Sequence, residues 1–446
     1  MPHALSITDG STTVSLSTTN AILEHYVPQT PKRTGPGELD FAPVEEPIEL
    51  AFVGASTSAI QSTYNSVQAL LLAAARRQAK GVGSRVFLQY QPIGDGTLWR
   101  SEILDGDARL GDSAMSTFGS LVMRARLQVQ RRPWWEGSRT AVPLTNGNGS
   151  NNTSGLTIKN HDDGNAGDDN YLGISAGNVG GVLPTPAEIQ LTNTNGATIA
   201  INSFTIANNI FDPSFTHILE GESRLGGYGS VQSAATCSNG QLVRLTGTGS
   251  IQCAWSLSSG LLQASEGRFF NLVARIPTFA TSPGVYCTAM IKDANNLVTL
   301  AMGKEMKLTL GSSYLQILGT LPLPPGGFNT AYAGQTLFLQ FRTTAAETIE
   351  IDYIQLTPSE ELCWRQVLAM DTGHVANSIF VDDGIEGLTY RSVSGAAHPI
   401  YDPKGTPVHL FPGVNQRLYV LMDGLDATID KSMSAKVWYR PRRLSI

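Results

Sequence analysis

Only one segment of this 446-residue chain has the apolar spacing of a long helix. Apolar side chains recur there three or four residues apart, at Ile60, Tyr64, Val67, Leu71 and Ala74. The pattern predicts a helix over about residues 58–80 that packs by one face. Ser58 and Gln61 have the spacing of a capping box, and Gly81 stands where a glycine ends many helices.

The remainder of the chain favours short strands joined by turns. Its 45 glycines and its low share of charged residues, 15%, suit turns and polar strand faces. Residues 217–358 alone contain about eight runs of strand-forming residues separated by turn clusters. We therefore expect a mainly β protein made of several β-sandwich domains, with one α-helix.

Changes of pattern along the chain predict three domains. Residues 1–140 contain the helix, and a stretch rich in Asn, Gly, Asp and Ser then marks a boundary. We expect 141–215 and 359–446 to be the halves of one split β-sandwich, because the second half is too small for a core of its own. The dense strand pattern of 216–358 predicts a jelly roll inserted between these halves.

Charge and composition disfavour several functions. The formal net charge of −6 offers no strong positive field for nucleic acid or an anionic membrane. No apolar run approaches the roughly 20 residues that span a bilayer, and the first residues lack the features of a signal peptide. The four cysteines are scattered, so free thiols and folding in a reducing compartment are expected. Arg440, Arg442 and Arg443 form a basic cluster that we expect to be solvated or to contact another subunit.

The sequence carries no motif of a known catalytic site. It lacks the H-E-x-x-H zinc pattern and the G-x-S-x-G nucleophile turn, and its glycine clusters are not followed by the lysine of a phosphate loop. A carboxylate pair such as Glu220 and Glu222 serves a glycosidase only if the fold opposes the two groups across a cleft. We expect a protein that is not an enzyme and that has no cofactor.

Short motifs near both ends of the chain resemble the distal tail proteins of long-tailed bacteriophages. They are the helix with the strand after it, Arg-Pro-Trp-Trp-Glu-Gly at 132–137, Leu-Phe-Pro-Gly-Val-Asn-Gln at 410–416 and Val-Trp-Tyr-Arg-Pro-Arg-Arg at 437–443. The resemblance implies a tube-like N-terminal β domain and a virion subunit that assembles in the host cytoplasm. It also implies a ring, expected to be a hexamer, at the tail tip between the tail-tube protein and the hub proteins.

The middle segment resembles carbohydrate-binding modules of the jelly-roll type. The resemblance is carried by the sequences at 251–257, 269–275 and 349–356, the last with Asp352. It implies contact with a host cell-surface polysaccharide. In such modules a carboxylate near the first strand and one on the last strand share a structural calcium ion, which makes Glu222 and Asp352 the candidate ligands.

Four tyrosines in or near predicted turns and strand ends are the candidates for stacking on sugar rings: Tyr228, Tyr286, Tyr314 and Tyr332. For each of them, packing within the protein is the alternative. Trp255, Phe270, Phe338 and Tyr353 alternate with polar residues on predicted strands and are expected in the core. The middle segment then either holds a polysaccharide weakly or acts as a spacer between tail proteins.

Two other functions stay open at this point. One is an extracellular protein that binds or hydrolyses polysaccharide, which would normally carry a signal peptide and a catalytic cleft. The other is a baseplate component of a contractile injection system, in which tube-derived folds also occur. The leading hypothesis remains a phage tail-tip subunit.

Overall fold

A computed structural model describes residues 4–111, 115–117, 120–147, 149–151, 154–159, 170–194, 196–201, 203–211, 218–279, 284–308, 314–324, 334–368, 374–400, 403–423 and 431–446. The protein is mainly β, with 54% of the described residues in strands and 10% in helices. The predicted fold class, several β-sandwiches with one long helix, is confirmed.

The chain divides into two compact units. The first contains Met1–Thr140, Gly180–Thr185 and Arg440–Ile446, and the second contains Ala141–Val179 and Pro186–Tyr439. The short strands Thr140–Ala141 and Thr185–Pro186 fall at the borders between these segments. Each unit has its own buried apolar core.

The first unit is one sheet covered on one face by the helix. Its strands are Ala4–Thr8, Thr13–Ser15, Ala21–His25, Val44–Gly54, Phe87–Gln91, Trp99–Leu110, Met115–Thr117, Ser120–Arg131, Trp135–Glu136 and Arg442–Arg443. Inward residues of these strands, such as Leu50 and Leu127, pack against the apolar face of the helix. Tyr64 on that face also donates a hydrogen bond from its hydroxyl to the Ala108 carbonyl (2.7 Å).

The helix spans Thr57–Lys80, close to the prediction. Its N-terminal cap is Ser56, whose hydroxyl accepts a hydrogen bond from the Ala59 backbone N–H (3.2 Å), and not Ser58 as the capping-box spacing indicated. Gly81 ends the helix as predicted, with a φ of 67° that glycine adopts without strain.

The C-terminal residues return to the first unit. Arg442–Arg443 pairs with Trp135–Glu136, and the buried Arg442 guanidinium binds the Glu136 carboxylate at 2.8 Å. Only 6% of Arg442 is exposed, so this member of the basic cluster is a buried structural group and not the solvated or subunit-contact residue that the sequence predicted. The cause is the antiparallel return of the chain, which places it beside a carboxylate.

In the second unit, strands from before residue 211 and after residue 364 build one sandwich, which we call the flanking sandwich. They are Leu144–Asn146, Gly149–Asn151, Leu156–Lys159, Tyr171–Ile174, Glu188–Thr192, Ser203–Asn209, Trp364–Leu368, Ile379–Asp383, Leu388–Val393, Ala396–Pro399, Pro403–Gly405, His409–Leu410, Gln416–Asp423 and Ser432–Tyr439. Ser203–Asn209 pairs with both Trp364–Leu368 and Gln416–Asp423, so the two segments share a sheet.

The residues between Ile218 and Pro358 form two further sheets around a core of their own, which we call the middle sandwich. Its strands are Ile218–Glu220, Ser230–Ser233, Gln241–Ser256, Phe269–Arg275, Thr278–Phe279, Tyr286–Lys292, Thr299–Met302, Met306–Lys307, Leu315–Pro322, Thr336–Ile351 and Tyr353–Pro358, with a short helix at Ser259–Ala264. The jelly-roll topology and the domain boundaries stay predictions.

Two long strands dominate the middle sandwich. Gln241–Ser256 and Thr336–Ile351 pair over nearly their whole length. The register shifts between Gly247 and Gly249, and this bulge lets each strand continue without a turn.

The two sandwiches of the second unit meet through a buried patch. Val273, Leu315 and Tyr353 of the middle sandwich pack with Leu421 of the flanking sandwich. The Asp423 carboxylate accepts hydrogen bonds from the backbone N–H groups of Tyr314 (3.1 Å) and Leu315 (3.2 Å). The middle sandwich is therefore fixed against its neighbour and is not a freely tethered module.

Candidate functional site

The outer face of the seven-stranded sheet of the middle sandwich is the candidate site. Along its strands, apolar residues such as Cys253, Ala289 and Leu339 point into the core, because side chains alternate between the two faces of a sheet. The residues between them face outward. Eight of these outward residues, together with Glu305 just before the strand Met306–Lys307, form what we call the polar platform: Ser250, Gln252, Tyr286, Thr288, Lys292, Glu305, Lys307, Gln340 and Arg342.

The strand register places the platform residues in rows. Gln340 lies opposite Gln252 on one side and Thr288 on the other. The next row joins Ser250, Arg342 and Tyr286, and Tyr286 lies opposite Lys307 on its other side. Amides, hydroxyls, an aromatic ring and charged groups thus share one surface.

Tyr286 is held in place by its neighbours. The Arg342 guanidinium lies over its ring, with the Cζ atom 4.3 Å from the ring centroid. Glu305 accepts two hydrogen bonds from Arg342, Nε to Oε1 at 2.9 Å and Nη2 to Oε2 at 2.8 Å. These bonds hold the pKa of the Glu305 carboxyl below its usual value. Arg342 thus fixes the orientation of the Tyr286 ring. Because Tyr286 is only partly buried, the ring is also accessible to a ligand.

One end of the outer face is apolar and covered. Phe338 is only 3% exposed, because the Tyr228 ring meets it edge-on at 5.8 Å between centroids and the Lys292 Nζ lies 3.6 Å from its ring centroid. Ala254, Met290 and Leu225 complete this cluster. Tyr228 is therefore a packing residue at the border of the platform.

The other two candidate tyrosines do not join this surface. Tyr314 lies where the two sandwiches meet, with its backbone N–H bonded to Asp423 and the Arg275 guanidinium 5.8 Å from its ring centroid. Tyr332 lies outside the described residues. The structure thus brings Tyr228 and Tyr286 to one face and places Tyr314 elsewhere.

The candidate calcium ligand Asp352 is fully buried beside an arginine. Its Oδ1 accepts a hydrogen bond from the Ser238 N–H (2.9 Å), and its Oδ2 accepts one from Arg275 Nη1 (2.6 Å). Burial outweighs the attraction of Arg275 and raises the pKa of Asp352 to about 6. Glu222 accepts a hydrogen bond from the Asn239 side chain (2.9 Å).

The charge that neutralises Asp352 therefore comes from the chain itself. Within the described ranges, no three His, Cys, Asp or Glu side chains are grouped so that they could hold a metal ion. Calcium at Glu222 and Asp352 stays a prediction, and thermal unfolding with added calcium against a chelator tests it.

The cysteines show no sign of activation. Burial raises the pKa of Cys237 to about 11 and that of Cys253 to about 12, so both thiols are protonated at neutral pH. What the described surface offers chemically is contact: an oriented ring, amides and charged groups on one face of a sheet. Among the described helices, none combines the length and apolar character needed to cross a bilayer.

Comparison with known proteins gives matches to structures only. No protein-family model matches the chain, and no curated protein does. One similar solved structure is the SPP1 Dit (gp 19.1) protein, described as a paradigm of the hub adsorption apparatus in phages that infect Gram-positive bacteria. It is 9% identical, each chain is covered to 99%, and the TM-score is 0.32. Another is the phage P2 baseplate in its activated conformation with Ca, at 8% identity, full coverage of both chains and a TM-score of 0.31.

Proposed function

We propose that the chain is a structural subunit of a bacteriophage tail tip, of the distal-tail type. The observation that carries the proposal is the meeting of two separate motifs that resemble this family. The segment at 132–137 and the end of the segment at 437–443 come together in the first unit, where Arg442–Arg443 pairs with Trp135–Glu136. The helix-covered sheet and the two-segment sandwich are the architecture that the resemblance implies.

In this proposal the first unit assembles into a closed ring, most simply a hexamer, between the tail tube and the hub proteins. Closed symmetric assembly is the usual form of soluble homo-oligomers. Mass photometry of the purified protein is expected to show a single species of about six subunits, and electron microscopy to show a ring. Monomer alone at micromolar concentration, together with virions that lack the protein, would contradict the proposal.

The middle sandwich in turn contacts a cell-surface polysaccharide through the polar platform, without catalysis. Sugar rings stack on aromatic faces while amides and hydroxyls bond their hydroxyl groups, and the platform provides both kinds of group side by side. A single such contact is weak, with a dissociation constant of roughly micromolar to millimolar. Display of several copies on a ring strengthens attachment through effective concentration.

The test is retention of the assembled protein on host-envelope polysaccharide. Tyr286→Ala is expected to abolish retention. Tyr171→Ala is the matched control, because Tyr171 also carries an arginine over its ring, Arg417 at 4.0 Å, but lies on the flanking sandwich. Equal retention of both variants, or no retention of the unaltered protein, would favour a spacer role for the middle sandwich.

A further inference from the structure

We propose that the platform selects an anionic polysaccharide, one that carries carboxylate or phosphate groups. The inference rests on the proposed saccharide contact and adds the chemical class of the ligand. It is motivated by the charge of the platform, which is positive, whereas the net charge of the second unit as a whole is negative.

The second unit as a whole is acidic. Its segments contain 15 Lys and Arg against 24 Asp and Glu, a formal net charge of −9. On the platform the balance is opposite, with Lys292, Lys307 and Arg342 against the single carboxylate of Glu305. An anionic polymer is therefore repelled by most of this unit and attracted to the platform.

The position of the cations suits a polymer that runs along the strand Tyr286–Lys292. Lys307 lies directly opposite Tyr286 across one strand pair, next to the ring that would stack on a sugar. Lys292 is at the other end of the same strand, Tyr286–Lys292, with the hydroxyl of Thr288 between them. With a rise of about 3.3 Å per residue, the two lysines are spaced by roughly 20 Å, the length of several sugar units.

The groups between the cations point to a saccharide in particular. Gln252, Gln340 and Thr288 form one row of neutral hydrogen-bonding groups across three strands. Such a row matches the hydroxyls of a sugar chain, while the flanking cations match its acidic substituents. Arg342 is already bonded twice by Glu305 and Lys292 lies over the Phe338 ring, so the exposed Lys307 is the cation whose charge is most available to a ligand.

The experiment measures binding of the full-length protein to immobilised polysaccharides of three kinds: neutral mannan, phosphomannan and carboxylated polygalacturonate. We expect retention on at least one anionic polymer, with little on mannan. Binding should weaken steeply between 50 and 500 mM salt, because exposed charges are screened within about 8 Å at physiological ionic strength. Preference for phosphomannan or for polygalacturonate identifies the acidic group.

The variant Lys307→Gln is expected to weaken anionic binding about fivefold at low salt, which corresponds to the upper range for an exposed ion pair. Lys292→Gln is expected to weaken it less, because the Lys292 ammonium already lies over the Phe338 ring. Lys404→Gln is the control, since Lys404 is an exposed strand lysine of the flanking sandwich. Retention on mannan as strong as on the anionic polymers would overturn the charge inference and leave the saccharide proposal standing. No retention on any polymer would overturn both.

Discussion

Among the described residues, each sandwich of the second unit buries an arginine–carboxylate pair, and the two pairs lie in different surroundings. In the middle sandwich Arg275 and Asp352 lie 2.6 Å apart, and Asp352 stands between the long strand Thr336–Ile351 and the last strand Tyr353–Pro358. In the flanking sandwich Arg365 and Asp382 lie 3.1 Å apart and Asp382 also accepts a hydrogen bond from Thr389. Both pairs are almost fully buried, and burial raises the pKa of both carboxyl groups.

The difference lies in what surrounds each pair. The middle sandwich is built from one continuous segment, and its apolar core and buried pair lie apart from the outward-facing platform. The flanking sandwich joins two segments distant in sequence, and its core is closed by the stacked rings of Phe204 and Phe380, 4.2 Å apart. We therefore expect substitutions on the exposed face of the middle sandwich to leave its fold intact, because the residues that stabilise the fold are not the residues of the platform.

The largest effect is expected from Arg275→Met. The change leaves the Asp352 carboxylate buried without its guanidinium, a situation that costs about 3–5 kcal/mol of unfolding free energy. Denaturant unfolding of the full chain measures the loss. An effect as small as that of an exposed arginine would show that the Asp352 charge is met by another group, such as a bound cation.

Phe204→Ala tests the joint between the two segments of the flanking sandwich. Phe204 is fully buried and also meets the His374 ring edge-on at 5.6 Å, so its removal leaves a cavity and costs about 3–4 kcal/mol. The flanking sandwich should then unfold at lower denaturant, which hydrogen exchange followed by mass spectrometry would detect in Ser203–Asn209, while the strand Gln241–Ser256 of the middle sandwich stays protected. Simultaneous loss of both signals would mean that the two sandwiches unfold as one.

Acidification should change the stability of the two sandwiches in opposite directions. His374 is fully buried in the flanking sandwich, and burial lowers its pKa from 6.5 to about 4. Because the unfolded chain binds this proton at higher pH than the folded chain, the free energy of unfolding falls as the pH falls from 6.5 to 4. Asp352 has a raised pKa of about 6, so its burial costs stability at neutral pH and this cost is relieved as the pH falls below 6.

We therefore expect the His374 shift to destabilise the flanking sandwich in acid by up to about 3 kcal/mol, an effect that the raised pKa of Asp382 partly offsets, and the Asp352 shift to stabilise the middle sandwich by a comparable amount. The variant His374→Gln should flatten the acid dependence of the flanking sandwich when unfolding is followed at pH 7.5, 6 and 4.5. An unchanged pH profile in that variant would remove His374 from the explanation.

The smallest effect on stability is expected on the platform. Arg342→Met removes an exposed pair with Glu305, and such pairs contribute about 0–1 kcal/mol, in contrast to the matched change at Arg275. Circular dichroism and denaturant unfolding should barely change. A loss comparable to that of Arg275→Met would show that the platform is part of the structural core after all.

The sequence predicted the elements that depend on local patterns. Ile60 to Ala74 gave the helix, and the expected core residues Trp255, Phe270, Phe338 and Tyr353 are all at most 3% exposed. Phe338 is buried for a reason that the pattern does not contain, since it points outward and is covered by Tyr228 and Lys292. The capping-box spacing to Gln61 pointed to Ser58 as the cap, but the helix begins one residue earlier, at Thr57, and Ser56 caps it.

The features that sequence reasoning missed depend on distant pairing. Arg275 ends an apolar strand, and its partner Asp352 is 77 residues away, so only the sheet register brings them together. Gln252 and Gln340 become neighbours by the pairing of the two long strands. The alternation of polar and apolar residues could have predicted that Gln252 faces outward, because it stands between Ile251 and Cys253, which are both buried.

The central claim is that the polar platform is the surface through which this chain holds a polysaccharide. Hydroxyl-radical footprinting of the full-length protein with a retained polysaccharide tests it most directly, with Tyr171 as the internal reference for radical dose. We expect the polysaccharide to protect Tyr286 and Met302 from oxidation and to leave Tyr171 unprotected. Met302 is 65% exposed and lies on the adjoining strand Thr299–Met302. Protection confined to the flanking sandwich or the first unit, with Tyr286 oxidised at its free rate, would contradict the claim.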